Sequence, residues 1–209
     1  MTLLACQGVL FDCDGVLVDS AASVARAWAR WARDLGLDPD EVCRTVVGRR
    51  SADTVARLVP PARQREELAR IDRYELEDAA TVGAVKGASE LLASIPAGKW
   101  AVVTSGRTEL ALARLRAAGL PVPEVLVSAD DVTLGKPDPE GYQAAARRLG
   151  LAPSSAVVLE DSRAGIEAAR AAGARAIVGV GEQAAADGAD VVVDDLSGVH
   201  WAGPGLLVD

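Results

Sequence analysis

The sequence predicts an α/β protein: a parallel sheet with helices on both faces, interrupted near its start by an all-helical insert. Two observations carry this. Short apolar runs alternate with alanine-rich stretches whose apolar positions recur at helical spacing. Between about residues 20 and 80 the strand signals vanish and only helical patterns remain. Strands alternating with helices of this length make a parallel sheet covered on both sides.

Taken in order, residues 7–12 (Gln-Gly-Val-Leu-Phe-Asp) read as the first buried strand. Residues 20–35 then carry Val24, Trp28, Trp31 and Leu35 at spacings of four, three and four, an apolar stripe along one helix. Further helices are expected over 40–47, 52–59 and 62–78, with Pro60-Pro61 dividing the last two, and 80–87 returning to the sheet. Strands at 100–104, 125–127, 156–159 and 176–178 follow, with a weaker sixth at 191–193. Helices at 109–118, 139–149 and 164–172 alternate with them. Gly119, Gly150 and Gly173 come just after their last turns, where a left-handed C-terminal cap belongs.

Composition narrows the chemistry. The formal charge is 22 − 30 = −8, without a long block of one sign, which suits neither nucleic acid nor a membrane surface. A small anion can still bind where a metal, a lysine or backbone N–H groups reverse the sign locally. No apolar run approaches the roughly 20 residues of a membrane span. No basic region precedes the first apolar stretch, so no signal peptide is expected. Cys6, Cys13 and Cys43 form neither a CxxC pair nor a secreted framework, which fits reduced thiols in the cytoplasm. Cys13 alternates away from its acidic neighbours and is expected to be packed and inert. The single histidine, His200, excludes multi-histidine zinc sites and disfavours Ser-His or Cys-His machinery. Carboxylates, hydroxyls and the three lysines remain.

Ligands of open parallel sheets bind beyond the carboxyl ends of the strands. Four chemically loaded stretches fall there: Asp12-Cys-Asp14-Gly15 after the first strand, Thr104-Ser105-Gly106 after the second, Gly135-Lys136-Pro137 beyond the third and Glu160-Asp161-Ser162 at the fourth. Each alone reads equally as a turn or a helix cap. Together on one rim they describe a site. Asp12, Asp14 and Asp161 can gather Mg²⁺, a cation that takes oxygen ligands and retains waters. Glu160 either joins through a water or holds Asp161. Such an ion, with Lys136, offsets the repulsion between a carboxylate and a phosphate, while the Thr104 hydroxyl and the N–H groups near Ser105 and Gly106 donate to phosphate oxygens. Asp12 is then the expected nucleophile, forming an aspartyl phosphate, and Asp14 the acid and base that protonates the leaving alcohol and activates water.

These four stretches, in this order, resemble the motifs of the haloacid dehalogenase superfamily: Asp12 through Ser20, Thr104 at its strand end, Lys136 within Gly-Lys-Pro-Asp-Pro, and Glu160-Asp161-Ser162 running on to Ile166. The resemblance spans nearly the whole chain. It implies a Rossmann-like core of residues 1–18 and 84–209, a helical cap of residues 19–83 closing over the substrate, and a magnesium cofactor. Within the superfamily the chain looks most like sugar-phosphate phosphatases of the 2-deoxyglucose-6-phosphatase and glycerol-phosphatase type, on residues 24–31, 48–50, 74–78 and 100–106. Beta-phosphoglucomutases are also similar, but carry a cap histidine where Val24 aligns and a cap arginine where Ser51 does. Dehalogenating members lack the second carboxylate that Asp14 supplies here. Phosphonate-cleaving members use a cap lysine, and residues 20–83 contain none.

The expected activity is therefore hydrolysis of a small phosphorylated metabolite, a sugar or polyol phosphate, by a monomer. The competing readings are a phosphomutase and, from another class, a non-catalytic phosphate binder or phospho-acceptor domain. Outside the motifs, Arg49 and Arg50 are the cap residues expected to reach the substrate, and Arg107 can approach the phosphate. Trp28 and Trp31 are read as packing residues, and His200 with the 201–209 tail carries no functional signal.

Overall fold

The apolar runs do form one parallel sheet, and the helical block does sit between its first strand and the rest. In the structure, a computed structural model that describes residues 1–181 and 183–209, the chain begins with β1 (Thr2–Ala5), β2 (Gly8–Phe11) and a short β3 (Val18–Asp19). Four helices follow, α1 (Ala21–Asp34), α2 (Pro39–Val46), α3 (Ser51–Leu58) and α4 (Pro61–Asp78), before β4 (Gly83–Ala84). Next come α5 (Ala88–Ser94), β5 (Trp100–Val103), α6 (Thr108–Ala117), β6 (Leu126–Val127) and α7 (Glu140–Arg148). The last third holds β7 (Ala156–Glu160), α8 (Arg163–Ala172), β8 (Ala176–Val180), α9 (Gln183–Ala186), β9 (Val191–Val193), β10 (Val199–Trp201) and β11 (Gly205–Val208).

The main sheet has the order β6-β5-β2-β7-β8-β9, with every pairing parallel. Its central strands β2 and β7 are buried along their whole length, as continuous apolar runs require when both faces are covered. Side chains alternate across it. Val9, Phe11, Val157 and Leu159 join one core with Leu91, Leu92 and Leu115 from α5 and α6. Leu10, Val158 and Ile177 point the other way, onto Tyr142, Ala145, Ile166 and Ala169 of α7 and α8. The expected caps are present: Gly119, Gly150 and Gly173 have φ of 69°, 71° and 80°.

The insert has a separate core. Val42, Val55, Ile71 and Tyr74 pack around Trp28 and Trp31, whose rings meet edge to face at 5.3 Å. The Trp31 indole N–H donates to the Glu67 carbonyl at 3.1 Å, so the packing reading of that residue fits. Asp38 caps α2, accepting from the N–H groups of Asp40 and Glu41 at 2.8 and 3.2 Å.

Three features go beyond the sequence reading. Helix α5 covers the sheet where no element was expected. The β3–β4 ladder pairs Val18 with Ala84 and Asp19 with Gly83, closing the insert at its neck. The C-terminal tail, which carries no functional signal in the sequence, joins β1 in the antiparallel sheet β1-β11-β10, with Thr2 opposite Val208, and sends Leu206 and Val208 into the core. Pairing between opposite ends of a chain leaves no local pattern in either segment.

Candidate active site

The site is built where β2, β5 and β7 end side by side. The Asp12 N–H still donates to the Leu159 carbonyl at 3.0 Å, which sets Asp12 as the last residue in strand register. The chain then turns: Leu17 and Val18 both donate to the Cys13 carbonyl, at 3.0 and 2.9 Å. Gly15 has φ of 83°, and a Cβ there would lie 2.0 Å from Asp161 Oδ2. Glycine is thus what lets the turn lie flat against Asp161. Cys13 is fully buried, and burial above all pushes its thiol pKa well up, matching the inert thiol expected.

Strand β7 delivers Glu160 into the interior, where both of its oxygens are engaged. Oε1 accepts from Lys136 Nζ at 2.5 Å and from the Tyr142 hydroxyl at 2.7 Å. Oε2 accepts from the Asp161 N–H, the Ser162 N–H and the Ser162 hydroxyl, each at 3.1 Å. Lys136, on the loop between β6 and α7, also donates to Asp12 and, at 3.3 Å, to the Val103 carbonyl. One oxygen each from Asp12, Glu160 and Asp161 lie within 4.8 Å of one another. Asp14 stands outside that group; its carboxylate accepts from Arg114 at 3.0 Å.

Gly165 is part of this construction. A Cβ there would sit 1.7 Å from Glu160 Oε1, and Glu160 has five hydrogen bonds that prevent it from moving aside. Gly165→Ala is expected to destabilise the fold by about 3 kcal/mol, as overpacking of a tight interior does. At 2–4 °C per kcal/mol for a chain of this size, a thermal melt should fall by roughly 6–12 °C.

The electrostatics favour a cation. Three carboxylates share one ammonium, leaving two more negative charges than positive. Burial, then the charge of Glu160, raises Asp161 to about 7. Asp12 is also pushed well up, by burial first; Lys136 opposes the shift, and the neighbouring carboxylates add to it. Burial works against the Lys136 ammonium, but Asp12 and Glu160 outweigh it and raise its pKa. A buried cluster with surplus negative charge takes up either protons or a divalent cation. Oxygen donors alone match magnesium, so the residues present fit that ion.

A family model described as haloacid dehalogenase-like hydrolase matches residues 6–173. The chain belongs to that family. Among curated relatives of this haloacid dehalogenase-like hydrolase, hexitol phosphatase A of Escherichia coli is 42% identical, over 82% of each chain. Validoxylamine A 7'-phosphate phosphatase of Streptomyces hygroscopicus is 40% identical, over 92% of this chain and 95% of the relative. Among solved structures, a hydrolase from Pseudomonas syringae superposes with a TM-score of 0.81 at 25% identity, covering 91% of this chain and 94% of the other.

A cavity of about 200 Å³ opens above the cluster in this hydrolase, between the core and the insert. Asp12, Asp14, Ser105, Gly106, Asp161 and Arg49 all line it, so these expected residues share one space. Thr104 lies just beneath, 5% exposed, its hydroxyl accepting from the Gly106 N–H at 3.0 Å. Trp28 also borders the cavity, although it is only 2% exposed.

Arg50 and Arg107 are placed elsewhere. Arg50 binds Asp53 through two bonds of 2.8 Å and donates to the Val132 and Thr133 carbonyls. Arg107 pairs with Asp72 at 3.0 Å and Asp130 at 3.1 Å. Both line a neighbouring cavity of about 330 Å³. Their role in the structure is to tie the insert to the core, as is that of Ser105, whose hydroxyl donates to the Gly48 carbonyl at 3.0 Å. Three polar groups at the site escaped the sequence reading: Tyr142 on Glu160, and the pair Arg114 and Glu75. Their signal was present, since each occupies an apolar-stripe position of its helix, where a polar residue needs a partner.

Proposed function

We propose that this hydrolase is a magnesium-dependent phosphatase that cleaves a small phosphomonoester, a sugar or polyol phosphate, through an aspartyl phosphate on Asp12. The observation that carries the reading is the Asp12–Lys136–Glu160–Asp161 cluster, which presents Asp12 and Asp161 to the cavity while Lys136 and Glu160 lie buried behind them. The phosphatase names of the similar proteins support it.

In this reading Asp12, Asp161 and the Asp14 segment hold Mg²⁺, and Glu160 fixes Asp161 and Lys136 through its five hydrogen bonds. When bound, the ion supplies positive charge beside the phosphate oxygens. Lys136 favours the ionised form of Asp12 and orients it, and the Thr104 hydroxyl and the Ser105 N–H donate to phosphate oxygens. An Asp12 carboxylate oxygen attacks phosphorus as the bond to the leaving oxygen breaks. Asp14 gives its proton to that oxygen, releasing the alcohol. Asp14 then takes a proton from water as the water oxygen attacks phosphorus, so phosphate leaves and Asp12 is regenerated.

Residues 19–83 act as a cap domain over residues 1–18 and 84–209, with Arg49 reaching the substrate body. Among the described residues no helix is long and apolar enough to cross a membrane. The reading is completed by a cytoplasmic monomer, consistent with three unpaired cysteines.

A panel of phosphorylated sugars and polyols, assayed for free phosphate with Mg²⁺ and after chelation, tests it. Phosphate release is expected with Mg²⁺ and should fall by roughly 10²-fold or more after chelation, since metal charge stabilisation is worth several kcal/mol. Rapid isomerisation without phosphate release would replace the phosphatase with a mutase, and a stable phosphorylated Asp12 without turnover would point to a phospho-acceptor.

A further inference from the structure

We infer that Arg114 is the positioning residue for the Asp14 carboxylate, and that Glu75 of the insert holds Arg114 in place; this rests on the acid–base role proposed for Asp14. Arg114 projects from α6 of the core and its side chain is only 2% exposed. Its Nη1 donates to Asp14 Oδ1 at 3.0 Å and its Nη2 to Glu75 Oε1 at 3.4 Å. Glu75, on α4 of the insert, accepts from the Ser51 hydroxyl at 3.0 Å through its other oxygen. The guanidinium thus spans the seam between core and insert, with one arm on each side.

Burial of this arginine is unfavourable unless its partners require it. The rest of the buried face of α6 is Leu110, Ala111 and Leu115, and an apolar residue at 114 would pack there without the cost of desolvating a cation. The Nε group is buried and has no hydrogen-bond partner among the described residues, a further penalty tolerated at this position. A pair serving only to dock the insert would need Glu75 alone. The second arm instead reaches Asp14, which keeps 27% of its side chain exposed and lines the cavity. Held this way, the Asp14 carboxylate faces the substrate space and stays out of the three-carboxylate cluster. Without Arg114 it is free to rotate toward the cation site or to solvent. Because Glu75 belongs to the insert, the arrangement is complete only with the insert docked on the core.

Two substrates separate this role from a merely structural one. p-Nitrophenyl phosphate has a leaving group that departs without a proton, whereas glycerol phosphate needs one from Asp14. Arg114→Met is expected to lower kcat on glycerol phosphate by about 10²-fold, a large part of what a positioned acid or base contributes, with KM little changed. On p-nitrophenyl phosphate the same variant should show a burst of nitrophenolate larger than that of the wild-type protein, because the first step proceeds and hydrolysis of the aspartyl phosphate lags. Glu75→Gln should give a smaller loss of the same pattern, and Arg114→Lys should recover part of the activity. If Arg114→Met does not fold, Arg114→Lys, which keeps the buried charge, and the double variant with Glu75→Gln, which removes both charges, carry the same comparison. Equal losses on both substrates without a burst, or a loss confined to KM, would overturn the inference. Wild-type protein inactive on both substrates with Mg²⁺ would instead remove the phosphatase reading on which it stands.

Discussion

Asp12→Asn abolishes phosphate release, with an expected loss of about 10⁴-fold or more, in the range found when a covalent nucleophile is removed. The amide matches the carboxylate in shape but has no anionic oxygen with which to attack phosphorus. The backbone is unaffected, because the Asp12 N–H bond to Leu159 does not involve the side chain. Stability should move the other way from activity. Asp12 sits in a cluster with surplus negative charge, and burial holds its carboxyl pKa well above the usual range. An ionised Asp12 is therefore unfavourable in the metal-free fold, and a neutral amide removes part of that cost. Lys136 loses one partner but retains Glu160 at 2.5 Å. The variant should melt no lower than the wild-type protein without metal, while its response to Mg²⁺ shrinks. Full activity in Asp12→Asn would end the nucleophile assignment; a collapsed melt would show that Asp12 is structural.

What was legible in the sequence follows from where local pattern meets function. Asp12, Thr104 and Asp161 each terminate or follow an apolar strand, and the parallel topology brings the ends of β5, β2 and β7 together in that order. Reading the strands therefore located the rim. Arg114, Glu75 and Tyr142 show in the sequence only as polar groups at apolar-stripe positions of their helices, a sign that each needs a partner, and nothing local shows which partner faces them. Only the assembled structure puts Arg114 within 3.0 Å of Asp14, one hundred residues away along the chain. The same limit misplaced Arg50 and Arg107. An arginine just past a glycine can turn either way; Asp53 and two loop carbonyls decide it for Arg50, and Asp72 and Asp130 for Arg107. At Arg50 the choice is reinforced from the loop, since a side chain at Gly135 would lie 2.6 Å from the Arg50 Nε.

Lys136→Met tests the electrostatic design most severely. The ammonium is enclosed between Asp12 and Glu160, and the two carboxylates raise its pKa despite burial, so it is charged at any working pH. Methionine fills similar space but leaves Asp12, Glu160 and Asp161 facing one another without that cation. Arg114 does not substitute for it, being committed to Asp14 and Glu75. Removing one partner of a buried ion pair costs about 3–5 kcal/mol, which at 2–4 °C per kcal/mol corresponds to a melt lower by roughly 6–20 °C. Activity should fall by about 10³-fold, as when a preorganised charge stabilising the transition state is lost. Magnesium then gives a discriminating readout. A divalent cation held by the same carboxylates replaces the missing charge, so Mg²⁺ should raise the melting temperature of Lys136→Met more than that of the wild-type protein. Equal shifts in the two proteins would place the metal elsewhere, and an unchanged metal-free melt would mean that the buried lysine does not balance these acids.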